Sequence, residues 1–585
     1  MTSENKICQN CKNQFVIEPD DFNFYEKIKV PPPTWCPECR MVRRFIWRNQ
    51  HHLFSRKDSR TSEMIFSTIP QSVSIPVYEV SFWNSDGWDP MQYGRDYDFS
   101  RPFFEQFREL LYEVPWPSRG VLNLVNSDYS ANASDLKNCY LCFDSGNLEN
   151  CGYVVTAEGT KDSFDLYQSR HAELSYEGYM VDEAYRSHLS VNVEDCSEVW
   201  FSRNMIGCQN CFGCVNLRNK SYYVFNQPYS KEAYREFMAQ FQSGSYAAIE
   251  AMKARVYALW LQYPMRFTLG INNVNSDGEH IEHSKNVRDS FMVHDGENLR
   301  YCQILGGPVA DCYDYTVWGE NSSLIYDSLQ VGKSSERVKF SNGCWPASND
   351  IEYSMHSRSS LNIFGCVGLK KKQYCIFNKQ YSKEDYFKLR EKIINQMNER
   401  SFTDKQGRVY KYGEFFPPEF SPFAYNETIA QDFFPLSKAE AEAKGFLWRE
   451  SERREFETTI NAADLRDDIK DVQDPILKEI IKCADCGKAY RVIKMELDFY
   501  RRIPLPLPRL CPDCRFKERF KFVNPPKFWD AKCQCAGETD ERKIYKNDVK
   551  HFHGADHCPN EFKTSYAPGR PEIVYCESCY KTEVV

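Results

Sequence analysis

Phe212-Gly-Cys-Val-Asn-Leu-Arg-Asn-Lys-Ser-Tyr-Tyr-Val-Phe-Asn-Gln-Pro-Tyr-Ser-Lys-Glu232 returns without a gap as Phe364-Gly-Cys-Val-Gly-Leu-Lys-Lys-Lys-Gln-Tyr-Cys-Ile-Phe-Asn-Lys-Gln-Tyr-Ser-Lys-Glu384. The offset is 152 residues, and looser matches continue upstream, where Asn126-Ser-Asp answers Asn275-Ser-Asp and Asn138-Cys-Tyr answers Asp289-Ser-Phe. One unit is therefore written twice between Val121 and Arg400. Inside the first copy a small residue precedes an aromatic or β-branched run near Cys139, Cys151, Ser163, Ser175, Ser187, Cys196, Cys208 and Ser221. The second copy carries the same signal in Asp289-Ser-Phe-Met-Val, Tyr301-Cys-Gln-Ile-Leu and Lys372-Gln-Tyr-Cys-Ile-Phe.

Short strands at a regular step of about 12 residues, punctuated by Asn, Asp, Gly and Ser turns and free of helices, predict a β-solenoid. Two such runs would make a coil of about 22 to 24 residues with small side chains laddered up its inside. An antiparallel meander is the competing arrangement. Each copy closes on Tyr-Ser-Lys-Glu, at Tyr229 and Tyr381, where the serine suits a helix N-cap and the helix would cover the last strand edge. The expected fold is mainly β with small zinc-ribbon domains and two tandem β-solenoid (parallel β-helix-like) units, each capped by α-helix.

Cysteine spacing supplies the chemistry. Cys8-Gln-Asn-Cys11 and Cys36-Pro-Glu-Cys39 are two Cys-x2-Cys knuckles, and Cys483-Ala-Asp-Cys486 and Cys511-Pro-Asp-Cys514 repeat them with the same separation. Two knuckles supply four thiolates, which is a closed structural zinc site. These eight cysteines predict two zinc ions. A third is expected near the C-terminus from Cys533, Cys535, Cys576 and Cys579, with Cys558 or His557 as a possible replacement ligand and His551 and His553 read as surface residues. Cys208, Cys211 and Cys214 resemble a ligand set, but only Cys214 has a counterpart, Cys366, so they read as buried thiols packed like small hydrophobes.

The two knuckle modules match further at a constant offset. Phe15 answers Tyr490, Phe24-Tyr25 answers Phe499-Tyr500, Pro31 and Pro33 answer Pro506 and Pro508, and Cys39-Arg40 answers Cys514-Arg515. This pattern resembles the "probable zinc-ribbon" domain family over about 35 residues at each end, and the aromatics would cover the metal. The whole layout, including Val30 to Arg40, Tyr93 to Phe104 and Tyr566 to Cys576, is similar to a group of multi-domain zinc-ribbon proteins from uncultured small-genome bacteria. That resemblance implies zinc and duplication, and no established activity.

With 585 residues, 15% aromatics and a net charge of -8, the chain is multi-domain, able to bury large cores, and without an overall pull toward nucleic acid. No apolar leader or membrane-length apolar run is present, so the 25 cysteines read as reduced thiols in a cytoplasmic protein. Seven segments are expected: residues 1–50 and 477–525 as zinc ribbons, 51–120 as an aromatic bridge, 121–262 and 263–400 as solenoids with capping helices, 401–476 as a Pro/aromatic segment and charged linker, and 526–585 as a Cys/His zinc module.

Three functions compete. A zinc-stabilised, non-catalytic scaffold or binding protein with a protein partner fits the closed thiolate sites best, and no catalytic residue set is found. A nucleic-acid-binding zinc-ribbon protein would use Arg40, Arg43, Arg44, Arg48, Arg515, Lys517 and Arg519, which are interleaved with aromatics; the plainer reading of these stretches is an amphipathic helix with its charges in water. A β-helix carbohydrate-active enzyme would need stacked carboxylates, for which Asp162, Asp165, Asp182, Glu183, Asp195, Asp311, Asp314 and Glu320 are the scattered candidates.

Overall fold

The computed structural model describes residues 2–450, 456–537, 545 and 547–584. The chain is mainly β, with solenoids in both copies of the repeat. Their geometry is set by a three-residue rhythm. Asn132, Asp135, Asn138, Leu141, Asp144, Asn147 and Asn150 all adopt left-handed backbone, with φ between 51° and 57°. Asn and Asp tolerate that region better than other non-glycine residues. Each left-handed residue is a corner, and four three-residue sides close one turn. Strand pairing confirms the closure: Val155 pairs in parallel with Tyr167, and Phe164 with Tyr176, each twelve residues on. A coil therefore takes 12 residues, not the 22 to 24 expected, because the chain turns at every third residue rather than after a full strand. Parallel pairing also excludes the meander.

The residue after each corner points inward. Leu136, Cys139, Cys142, Ser145, Leu148, Cys151, Val154 and Ala157 are all buried in this way. Four inward side chains share each narrow turn, which explains why they are small. Ser163 Oγ donates to the Lys161 carbonyl at 2.6 Å and accepts from the Ser175 amide at 3.0 Å, and Ser175 Oγ accepts from the Ser187 amide at 3.2 Å. The Ser163 and Ser175 hydroxyls thus each donate to a carbonyl two residues back and accept an amide of the next turn, so both are satisfied despite burial. At one corner an amide ladder runs from Asn126 to Asn138, Asn150 and Asp162, with steps of 3.1, 3.1 and 2.9 Å.

The second copy keeps the rhythm but not the count. It opens with an eleven-residue turn, Gly270 pairing with Ile281, and then runs through thirteen-residue turns at Gly296–Val309, Tyr313–Tyr326 and Glu336–Asn349. These insertions are why the offset between copies drifts upstream of the closing motif. Both copies end under the expected helices. Ser230 Oγ accepts from the Ala233 amide and Ser382 Oγ from the Asp385 amide, each at 3.1 Å, starting helices Lys231–Gln240 and Lys383–Glu399. Phe237 and Phe241 then close over Phe212 of the final turns at ring separations of 5.0 and 4.9 Å.

The chain forms two compact units: Met1–Arg119, Thr268–Glu450 and Pro525–Phe528 in one, and Gly120–Phe267, Ser451–Asn524 and Trp529–Val585 in the other. The first unit therefore joins the N-terminal knuckle module to the second solenoid copy. The second joins the later knuckle module to the first copy. Residues 451–455 of the expected charged linker lie outside the described residues. Among the described residues no helix is long and apolar enough to cross a membrane.

Candidate metal centres and the docked knuckle modules

Among the described residues, four groups of ligand atoms, each set lying within 4.8 Å of one another, could hold metal ions. Two are the knuckle sets expected from the sequence, Cys8, Cys11, Cys36 and Cys39, and Cys483, Cys486, Cys511 and Cys514. In each, the third cysteine caps a helix and its own amide donates to the first sulfur: Cys36 to Cys8 Sγ and Cys511 to Cys483 Sγ, both at 3.2 Å. Amide donation to sulfur stabilises thiolate charge, which suits a bound cation. Hydrogen bonds from the Cys36 and Cys39 thiols also hold Cys8 well below the usual thiol range.

Of the C-terminal tetrad, Cys535 is replaced by Cys558, one of the two alternative ligands that the sequence offered. Cys533, Cys576 and Cys579 are joined by Cys558, and Cys535 belongs to a second set with His551, His553 and Cys579. One intervening residue between Cys533 and Cys535 is too little for a knuckle turn, so the two sulfurs serve neighbouring sets. The cysteines and His551 are buried, which corrects the surface reading of His551, and His553 is partly buried. A hydrogen bond from the Cys579 thiol lowers Cys533 to about 6 and Cys535 to about 4. Cys579, donating to both, is pushed far up. Cys208, Cys211 and Cys214 are buried inner-column residues whose thiols contact the Ile206, Gln209 and Phe212 carbonyls at 3.4 Å.

The knuckle modules dock by one repeated scheme. In the first unit Phe24 stacks on Tyr313 at 4.0 Å, and Tyr25 lies 5.5 Å from Tyr326. In the second, Phe499 lies 4.7 Å from Phe164 and Tyr500 5.6 Å from Tyr176. The Phe-Tyr pairs thus pack against solenoid turns instead of only covering the metal. Behind them, Arg40 and Arg44 of helix Pro37–Phe45 reach Asp314 at 2.8 and 3.2 Å. Arg515 and Arg519 of helix Pro512–Phe520 reach Asp165 at 3.0 and 2.7 Å. Arg43 bridges Asp327 and Glu414 at 2.7 and 2.6 Å, Arg44 also meets Asp327 at 2.8 Å, and Arg515 also meets Glu496 at 2.9 Å. In each network the number of arginines matches the number of carboxylates.

The basic stretches therefore face inward. Arg40, Arg43, Arg44, Arg48, Arg515 and Arg519 are buried, and of the seven basic residues Lys517 alone is exposed. The scattered carboxylates are also accounted for. Asp165 and Asp314 sit in the buried networks, and Asp162, Asp182 and Asp311 pair with Arg502, Arg170 and Lys27. Glu183, Asp195 and Glu320 occupy left-handed corners. The signal available in the sequence was Cys39-Arg40 matching Cys514-Arg515, but nothing local pairs those arginines with residues hundreds of positions away.

No family model and no curated protein matches this chain. Among solved structures, the chain has a likeness to one described as "putative acetyltransferase" from Desulfovibrio desulfuricans G20, at 10% identity over 41% of this chain. The chain spans 64% of that structure's length, and a TM-score of 0.10 carries no argument about fold or function. What the coordinates define is a β-solenoid protein whose cysteine clusters could hold metal ions.

Proposed function

We propose that this protein is a zinc-stabilised, non-catalytic scaffold that binds protein partners, and that its terminal modules are zinc ribbons of the family they resemble. The observation that carries this reading is the closed character of the knuckle sites. Each groups four thiol ligands, which suits tetrahedral zinc and leaves no position for substrate. Burial of the arginines in ion pairs weighs against a nucleic-acid surface. The first solenoid turn favours a protein partner, because Leu122 and Val125 are exposed on strand Val121–Val125, the end strand of its sheet. An apolar edge strand is a natural template for an added strand.

Elemental analysis and the A260/A280 ratio of the purified chain test the reading. Zinc without iron, and an absorbance ratio free of nucleic acid, are expected. A protein that co-purifies with the wild type should be lost from a Leu122→Glu, Val125→Glu variant. Nucleic acid that survives high-salt washing, or polysaccharide cleavage abolished by a solenoid carboxylate variant, overturns it.

A further inference from the structure

We propose that the C-terminal module holds two zinc ions bridged by the Cys579 thiolate, one bound by Cys533, Cys558, Cys576 and Cys579, the other by Cys535, His551, His553 and Cys579. The two ligand sets share only Cys579. It lies in the first turn of helix Glu577–Val584, and its sulfur is within reach of the other ligand atoms of both sets. The first set is a four-sulfur site of the knuckle kind: the Cys576 amide donates to Cys533 Sγ at 3.1 Å, and Cys558 Sγ lies 3.8 Å from Cys576 Sγ.

The second set is oriented by its surroundings. His551 Nε2 lies 2.9 Å from Glu583 Oε2, with both side chains almost fully buried, and its Nδ1 is 3.5 Å from Cys535 Sγ. His553 Nδ1 lies 2.6 Å from the Asp556 carbonyl, and its Nε2 is 3.3 Å from Cys579 Sγ. Each ring thus has one nitrogen held by an oxygen acceptor and the other turned to the sulfurs. That is the arrangement metal-ligating histidines adopt, since the outer acceptor fixes both tautomer and ring orientation.

The sulfurs are prepared for charge as well. Asn547 Nδ2 donates to Cys535 Sγ at 3.1 Å and Asn560 Nδ2 to Cys576 Sγ at 3.3 Å. Ligation of all five sulfurs as thiolates puts a large negative charge in a buried site, which is costly unless paired. Two ions nearly balance it. Four sulfurs in one set, and two sulfurs with two imidazoles in the other, both suit zinc.

The test uses the full-length chain. Elemental analysis of the wild type should give four zinc ions per chain, and His551→Ala, His553→Ala should give three, with the four-sulfur set and both knuckles intact. An unchanged count in the double variant overturns the proposal. If that variant loses more than one ion, the unmodified chain decides: after exchange with cadmium-113, two resonances from this module should show mutual coupling through the shared sulfur. Resonances without that coupling, or a single resonance, overturn it.

Discussion

Asp165 and Asp314 each carry an unusual load for single carboxylates. Each sits on a solenoid corner, adopts left-handed backbone, and forms ion pairs with two buried guanidinium groups from a knuckle module. Removing one partner of a buried ion pair strands the other charge without water, which costs about 3–5 kcal/mol. Asp165→Ala and Asp314→Ala should each lower the unfolding free energy obtained from urea titration by that order, and an unchanged value would sink the assignment. His188 and His356 are the other residues to test. Both are buried, and burial pushes each down to about 3, with the Arg186 and Arg358 charges adding to it. A folded value below the unfolded value of about 6.5 means the unfolded chain binds more protons in that interval. Their contribution is therefore complete above about pH 6.5 and is lost as pH falls toward 3, by up to about 1.4 kcal/mol per pH unit for each histidine. His188→Gln should flatten the loss of stability between pH 6.5 and 4.5 relative to wild type. An identical slope would show that His188 is not neutral in the folded chain.

At the scale of elements, the three-residue side makes register the sensitive quantity. Inward and outward positions alternate on a fixed count, so a one-residue slip carries the inner column to the surface. Deleting residues 127–138, one whole turn, should keep the inner columns in phase and leave a folded chain. Deleting residues 127–137 should shift each remaining inner column relative to the first strand and lower the thermal transition clearly more. Circular dichroism on both variants checks this, and equal stability would contradict the twelve-residue turn. The step itself was legible, because Asn138-Cys139, Asn150-Cys151 and Asp162-Ser163 pair a corner former with a small inner residue. The true coil length was not. Left-handed residues such as Leu141, Tyr153 and Met180 have no turn propensity of their own and are held by pairing with adjacent coils.

For the whole molecule, the consequence is that the halves of the sequence are not the halves of the structure. A chain ending at residue 450 keeps the first solenoid copy but loses the module whose Phe499, Tyr500 and Arg515 cover Phe164, Tyr176 and Asp165. It should bind a hydrophobic dye and be cut by protease within residues 120–267, while residues 268–450 stay protected. Resistance of the first copy would refute the interleaved division. Chelation of metal should destabilise the full chain, since thiolate sites of this kind contribute folding energy directly. The amino-acid sequence by itself settled the duplication, the capped repeat tract and the two knuckle quartets, because each is a matter of spacing within a few dozen residues. Only the tertiary structure decided that the first knuckle module docks on the second repeat copy and the second module on the first. It also decided that the arginines are buried and that Cys558 joins Cys533 while Cys535 meets two histidines. Those outcomes rest on aromatic stacking, ion pairing and ligand geometry between segments far apart in the chain, where local spacing carries no information.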